Sequence, residues 1–216
     1  MSYDSPFNTQ VKYPGLQDLM VEEIEIPGHD GVQIPLSIIY KKGLKRNGAA
    51  VCFMTGYGAY GFSNVPHFDN KYLAMLNKGV VVAVTHPRGG SEKGLSWYKA
   101  GFKTTKPNTW KDFISSGEYL IKNGYTSASH LIGEGTSAGG ILIGRAITER
   151  PDLFAAAINN VGISNALRFE LTPNADNIAE FGTFNDPLEC KALLEMDAYL
   201  HEKRPLNIRQ SSTYAA

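Results

Sequence analysis

Cysteine is scarce. Cys52 and Cys190 are the only two in 216 residues, far apart and outside any Cys-x-x-Cys pattern. No disulfide framework is expected; two reduced, mostly buried thiols of a cytoplasmic protein are the simplest reading. No apolar run approaches the roughly 18 residues that a membrane span needs. The polar start, Met1-Ser2-Tyr3-Asp4, has no basic-then-apolar signal peptide. Net charge is missing too, because 21 Lys and Arg balance 21 Asp and Glu. Neither nucleic acid nor a membrane is therefore an expected partner. There is no repeat, no low-complexity tract and no pattern that calls for a cofactor or a metal.

What is present suits one domain with a sizeable core. Residues 1–18, rich in Pro, Gly, Ser and Asn, read as a lead-in. Val21–Ile26 alternates like a half-buried strand, Gly28–Gly31 is a turn, and Val32–Tyr40 completes a hairpin. Ala49–Met54 and Val80–Val84 are continuous apolar runs, the pattern of buried strands, and Ala155–Val161 reads as a further apolar strand. Between them lie helical spacings at Phe68–Leu76, Trp110–Ile121 and Ile141–Arg150. Asp186-Pro187 opens a last helix with Leu188, Ala192, Met196 and Leu200 on one side. Strands alternating with helices predict an α/β fold: a mostly parallel sheet with helices on both faces and chemistry at the carboxyl ends of the strands.

Gly133-Glu134-Gly135-Thr136-Ser137-Ala138-Gly139-Gly140 stands at such an end, between the short run His130-Leu131-Ile132 and a helix. Strand, sharp turn and helix make Gly-x-Ser-x-Gly a nucleophile elbow, with Ser137 at the apex and the Ala138 N–H aimed at the oxygen of a bound carbonyl. The competing reading is a glycine-rich turn that only lets strand and helix pack closely. A second loop, Thr55-Gly56-Tyr57-Gly58-Ala59-Tyr60-Gly61, is either a flexible surface loop or one whose backbone and tyrosine hydroxyl approach a ligand. It, the His86 loop, Ser137 and the segment after Val161 all fall at the same sheet edge.

Taken in order, Gly56–Gly61, Arg88-Gly89-Gly90-Ser91-Glu92-Lys93-Gly94, Gly124-Tyr125-Thr126-Ser127, Gly135–Gly140 and Arg150-Pro151-Asp152-Leu153-Phe154 resemble the catalytic domain of the prolyl oligopeptidase family of serine peptidases. The resemblance runs from about Val21 to about His201. It implies an α/β-hydrolase fold and cleavage of short peptides or small esters. Position by position it implies Ser137 as nucleophile, the Ala138 N–H and Tyr57 hydroxyl as oxyanion donors, and Tyr60 near the substrate pocket. It also implies an ion pair of Arg88 with Glu134 beneath the site.

Two departures stand out. Proline-specific members carry a tryptophan where Asn177 aligns, which puts proline selectivity in doubt. The family's Asp and His follow later strands that have no counterpart here. On this reading the chain is a family domain, residues 19–202, truncated at both ends and followed by a tail, 203–216, unlike the family. A serine without a base is a poor nucleophile. Among the five histidines, His86 is the first candidate base, at the end of a strand taken to neighbour the elbow strand. His67 is the second, at the start of the helix after the oxyanion loop. His201 is read as a surface position on a helix and His130 as lying at the wrong end of its strand. Glu170 and Asp176 are candidate acids by location alone. A catalytically silent relative that only binds, or one part of a multi-chain enzyme, are the alternatives. A sheet ending at the Ala155–Val161 strand also exposes an edge, so a homo-oligomer covering it is expected.

Overall fold

The computed structural model describes residues 13–65, 67, 69–172 and 176–202. The hairpin forms as β1 (Leu19–Pro27) and β2 (Gln33–Lys41), paired antiparallel with Ile26 opposite Ile34. β3 (Cys52–Thr55), β4 (Val81–Thr85), β5 (Leu131–Thr136) and β6 (Ala156–Asn160) follow, and the six-stranded sheet runs β1-β2-β4-β3-β5-β6. From β4 to β6 every pairing is parallel. This is the mostly parallel sheet that the alternating pattern predicts and that an α/β-hydrolase fold, implied by the resemblance, requires.

Helices α1 (Asn70–Asn77), α2 (Leu95–Lys99), α3 (Pro107–Lys122), α4 (Gly139–Glu149), α5 (Asp176–Phe181) and α6 (Pro187–Met196) connect and cover the strands. Pro107 fits the first turn of α3, where its missing N–H costs no hydrogen bond. The Asp186 carboxylate caps α6 by accepting the N–H groups of Leu188 at 2.9 Å and Glu189 at 3.0 Å. Neighbouring strand residues face opposite ways: Phe53 meets Tyr72 of α1 at 6.1 Å between ring centres, whereas Met54 is buried in the core with Phe113 of α3 and Leu142 of α4. Helices therefore lie on both faces.

Cover is uneven. Along β5 the residues Leu131, Gly133 and Gly135 are buried, while Ile132, Glu134 and Thr136 alternate with them as half-buried. β6 has no buried residue and forms the open edge among the described residues. α6 also ends earlier than its apolar spacing implies. Ala192, Leu193 and Met196 are buried, but Leu188 is 71% exposed and Leu200 lies beyond the helix. No helix among the described residues is long and apolar enough to cross a membrane.

Candidate active site

Ser137 occupies the bend between β5 and α4 with φ of 55°, a left-handed conformation that costs a non-glycine residue about 1–3 kcal/mol. Neighbouring backbone holds it there. The Ser137 N–H donates to the Asn160 carbonyl at 3.0 Å, and the Ile163 N–H donates to the Ser137 carbonyl at 3.0 Å. Gly135 is demanded by the tightness of the bend, since a Cβ there would lie 2.1 Å from the Gly139 oxygen. Ser137 is left exposed, whereas Ala138 behind it is buried. The Ala138 N–H sits at the positive end of α4, and among the described residues no backbone carbonyl accepts it.

Tyr57 follows β3, the strand beside β5, and its side chain lies within interaction range of that of Ser137. Burial pushes the Tyr57 phenol above its ordinary pKa, the Glu180 charge pushes the same way, and the Ser137 hydroxyl opposes both. A phenol that resists ionisation remains a hydrogen-bond donor. A cleft of about 570 Å³ opens here, lined by Tyr57, Tyr60, Phe62, Tyr72, Glu134 and Asn160 among others.

Tyr60, 42% exposed, also has a positive φ, 57°. Its hydroxyl donates to Asn177 Oδ1 at 2.5 Å, and its ring meets Phe181 edge-on at 5.6 Å. Asn177 is 4% exposed, so it bears on the cleft through Tyr60 rather than by facing it. The loop is gripped from behind. Buried Lys106 donates from Nζ to the Gly58 carbonyl, and Glu180 accepts the Tyr60 N–H at 2.7 Å. Nothing in the spacing of the chain marks Lys106, Glu180 or Tyr98 as neighbours of this loop. Their meeting depends on α5 folding back over the start of α3.

The histidines do not gather at Ser137. The expectation for His86 fails on strand order: β3 stands between β4 and β5, so His86, just past β4, is not beside the elbow strand. Its ring is buried, with Nε2 2.8 Å from Ser37 Oγ and Nδ1 3.5 Å from Glu92. His67 is exposed, with Nδ1 3.4 Å from the Val65 carbonyl and its ring 6.4 Å from that of Tyr72, at the rim of the cleft but not on Ser137. His130 bonds Ser127 at 2.8 Å. His201 lies past the end of α6, half-buried, against the Asp197 carbonyl at 2.8 Å. His29 bonds Asn108 at 3.2 Å. Glu170 accepts from Thr183 and Phe184 at 2.9 and 3.0 Å, and the side chain of Asp176 lies outside the described residues.

The ion pair beneath the site also differs from expectation. Arg88 pairs with Asp112 at 2.6 Å and with Asp30 at 2.6 Å, not with Glu134. Glu134 instead accepts the hydroxyls of Thr55 and Thr136, both at 2.5 Å, on the wall of the cleft.

A family model described as the prolyl oligopeptidase family matches residues 66–208. This chain belongs to the prolyl oligopeptidase family. Among curated relatives, the prolyl endopeptidase of Elizabethkingia meningoseptica is 36% identical over 199 residues, 92% of this chain and 28% of that protein. The prolyl endopeptidase of Dictyostelium discoideum is 38% identical over 170 residues, 77% of this chain and 22% of that one. Among solved structures, prolyl oligopeptidase B from Galerina marginata superposes with a TM-score of 0.85 at 30% identity, over 91% of this chain and 28% of its own. Oligopeptidase B from Trypanosoma brucei with covalently bound antipain gives 0.80 at 30% identity, over 84% and 26%. The chain thus spans about 28% of the length of the prolyl oligopeptidase family members it matches over most of its residues.

Proposed function

We propose that this chain carries the nucleophile of a serine hydrolase that cleaves short peptides or small esters through an acyl-Ser137 intermediate. One observation carries the reading: an exposed hydroxyl on a strained bend, with the Tyr57 side chain in interaction range and the Ala138 N–H beside it. Ser137 Oγ attacks the acyl carbon and gives up its proton. The new oxyanion takes hydrogen bonds from Tyr57 and Ala138, the leaving group departs with a proton, and water then releases the acyl group. The similarity to prolyl endopeptidases supports peptides as substrates. Asn177 lends no support to selectivity for proline, because a buried amide bonded to Tyr60 offers no ring to stack on a prolyl residue.

All five histidines of the sequence lie among the described residues, and none contacts Ser137. An imidazole base therefore has to come from outside these 216 residues, in a longer polypeptide or a partner chain. The open β6 edge and the half-covered face of β5 support an arrangement in which further protein docks there, a second copy included. The same lack of an imidazole favours a second reading, a silent relative that only binds.

A fluorophosphonate probe with mass spectrometry separates the two. Slow labelling of the Ser137 peptide, lost in Ser137→Ala, is expected of the hydrolase. A folded chain in which Ser137 stays unlabelled would contradict a reactive serine in this chain by itself and favour the silent relative.

A further inference from the structure

Behind the loop that carries Tyr57 lies a buried polar cluster that the reaction scheme does not use. Lys106 is 1% exposed and Glu180 3% exposed, and they approach to 4.0 Å. They come from different places, Lys106 from the turn before α3 and Glu180 from α5. Each holds a backbone group of the same loop: Lys106 Nζ donates to the Gly58 carbonyl and Glu180 Oε1 accepts the Tyr60 N–H. Tyr98 donates to the other Glu180 oxygen at 2.6 Å. The Phe181 ring lies 5.2 Å from Lys106 Nζ and edge-on to Tyr60.

Burying two opposite charges costs several kcal/mol per ion unless geometry and further hydrogen bonds offset it. A pair placed there for stability alone is readily replaced by apolar side chains. This pair instead flanks Ala59 and grips the loop where its backbone has φ of 69° at Gly58 and 57° at Tyr60. Gly58 adopts such an angle freely, but a tyrosine does not favour it by itself.

We propose that Lys106 and Glu180 are positioning residues that act through Tyr57: they lock the loop in the one conformation that brings the Tyr57 hydroxyl to Ser137. The proposal rests on the oxyanion role assigned to Tyr57 above. Lys106 and Glu180 touch no reacting atom.

The test uses a signal that needs no turnover. In the full chain labelled with [13Cζ]tyrosine, Ser137→Ala is expected to shift the Tyr57 resonance, assigned with Tyr57→Phe, because a neighbouring hydroxyl is lost. In Lys106→Met and in Glu180→Gln, the latter isosteric and retaining polar atoms, that Ser137-dependent shift is expected to vanish while circular dichroism stays native. Fluorophosphonate labelling of Ser137 is expected to slow at least tenfold in Lys106→Met, with no further slowing when Lys106→Met is added to Tyr57→Phe. An undiminished Ser137-dependent shift in folded Glu180→Gln, or full additivity of the labelling losses, would overturn the inference alone. A wild-type Tyr57 resonance indifferent to Ser137→Ala would remove the oxyanion reading and the inference together.

Discussion

Lys106 has a pH-dependent stability signature. Burial pulls its pKa down to about 8, with the Glu180 charge opposing. The folded chain releases this proton near pH 8 and the unfolded chain near 10.5, so between them the unfolded state binds more protons and stability rises with pH. Relative to Lys106→Met, wild type is expected to gain on the order of 3 kcal/mol across that window. Urea titrations at pH 7.5, 8.5 and 9.5 test this, and a difference that stays flat would mean that the ammonium is not desolvated. Arg88 gives a second prediction. Asp112, fully buried, is its buried partner, so Asp112→Ala leaves the guanidinium with only the more exposed Asp30 and is expected to cost up to about 3 kcal/mol in urea unfolding. At this scale the elbow around Ser137 was legible from a local pattern, a glycine-flanked serine between strand and helix, whereas the role expected of Tyr57 came from the family resemblance and not from its glycine-rich loop alone. The partners of His86, Arg88 and Glu180 were not legible, since they depend on which strands and helices become neighbours in space.

Among the elements, the hairpin, the parallel strands and the elbow helix follow from hydrophobic period alone. Strand order does not: β3 precedes β4 in the chain yet lies between β4 and β5 in the sheet, and the period of neither strand encodes that. The turn after β4 turns out to support the loop that carries Tyr57. The Gly61 N–H donates to the Gly89 carbonyl at 3.0 Å, and a Cβ on Gly89, where φ is 102°, would lie 2.0 Å from the Gly58 oxygen. Gly89→Ala is therefore expected to lower stability by more than about 1 kcal/mol and to slow Ser137 labelling by displacing Gly58. Unchanged stability and labelling in Gly89→Ala would show that the two loops do not support each other.

For the molecule as a whole, the sheet is well packed on the face of α3 and α4 and thinly covered over β5 and β6 on the other. An unpaired strand edge next to half-buried Ile158 invites association. Light scattering at micromolar concentration is expected to find an oligomer, and introducing Lys at Ile158 is expected to shift it toward monomer. A wild-type monomer under those conditions would rule out self-association through this edge and leave a longer polypeptide or a different partner to cover it. The apolar residues made the existence of this strand legible, and the lack of a counterpart to the family's later strands already implied an open edge; the bounds Ala156–Asn160 and the partial burial along the strand came from the folded sheet.

The most direct measurement is the rate at which a fluorophosphonate modifies Ser137 in wild type and in Tyr57→Phe, with both chains shown to be folded. Removing one oxyanion donor is worth about 10²–10³ in rate in comparable sites, and a loss approaching that size is expected here. Equal rates in the two proteins would mean that the Tyr57 hydroxyl does not face the developing charge, and the site as described would not be an oxyanion site.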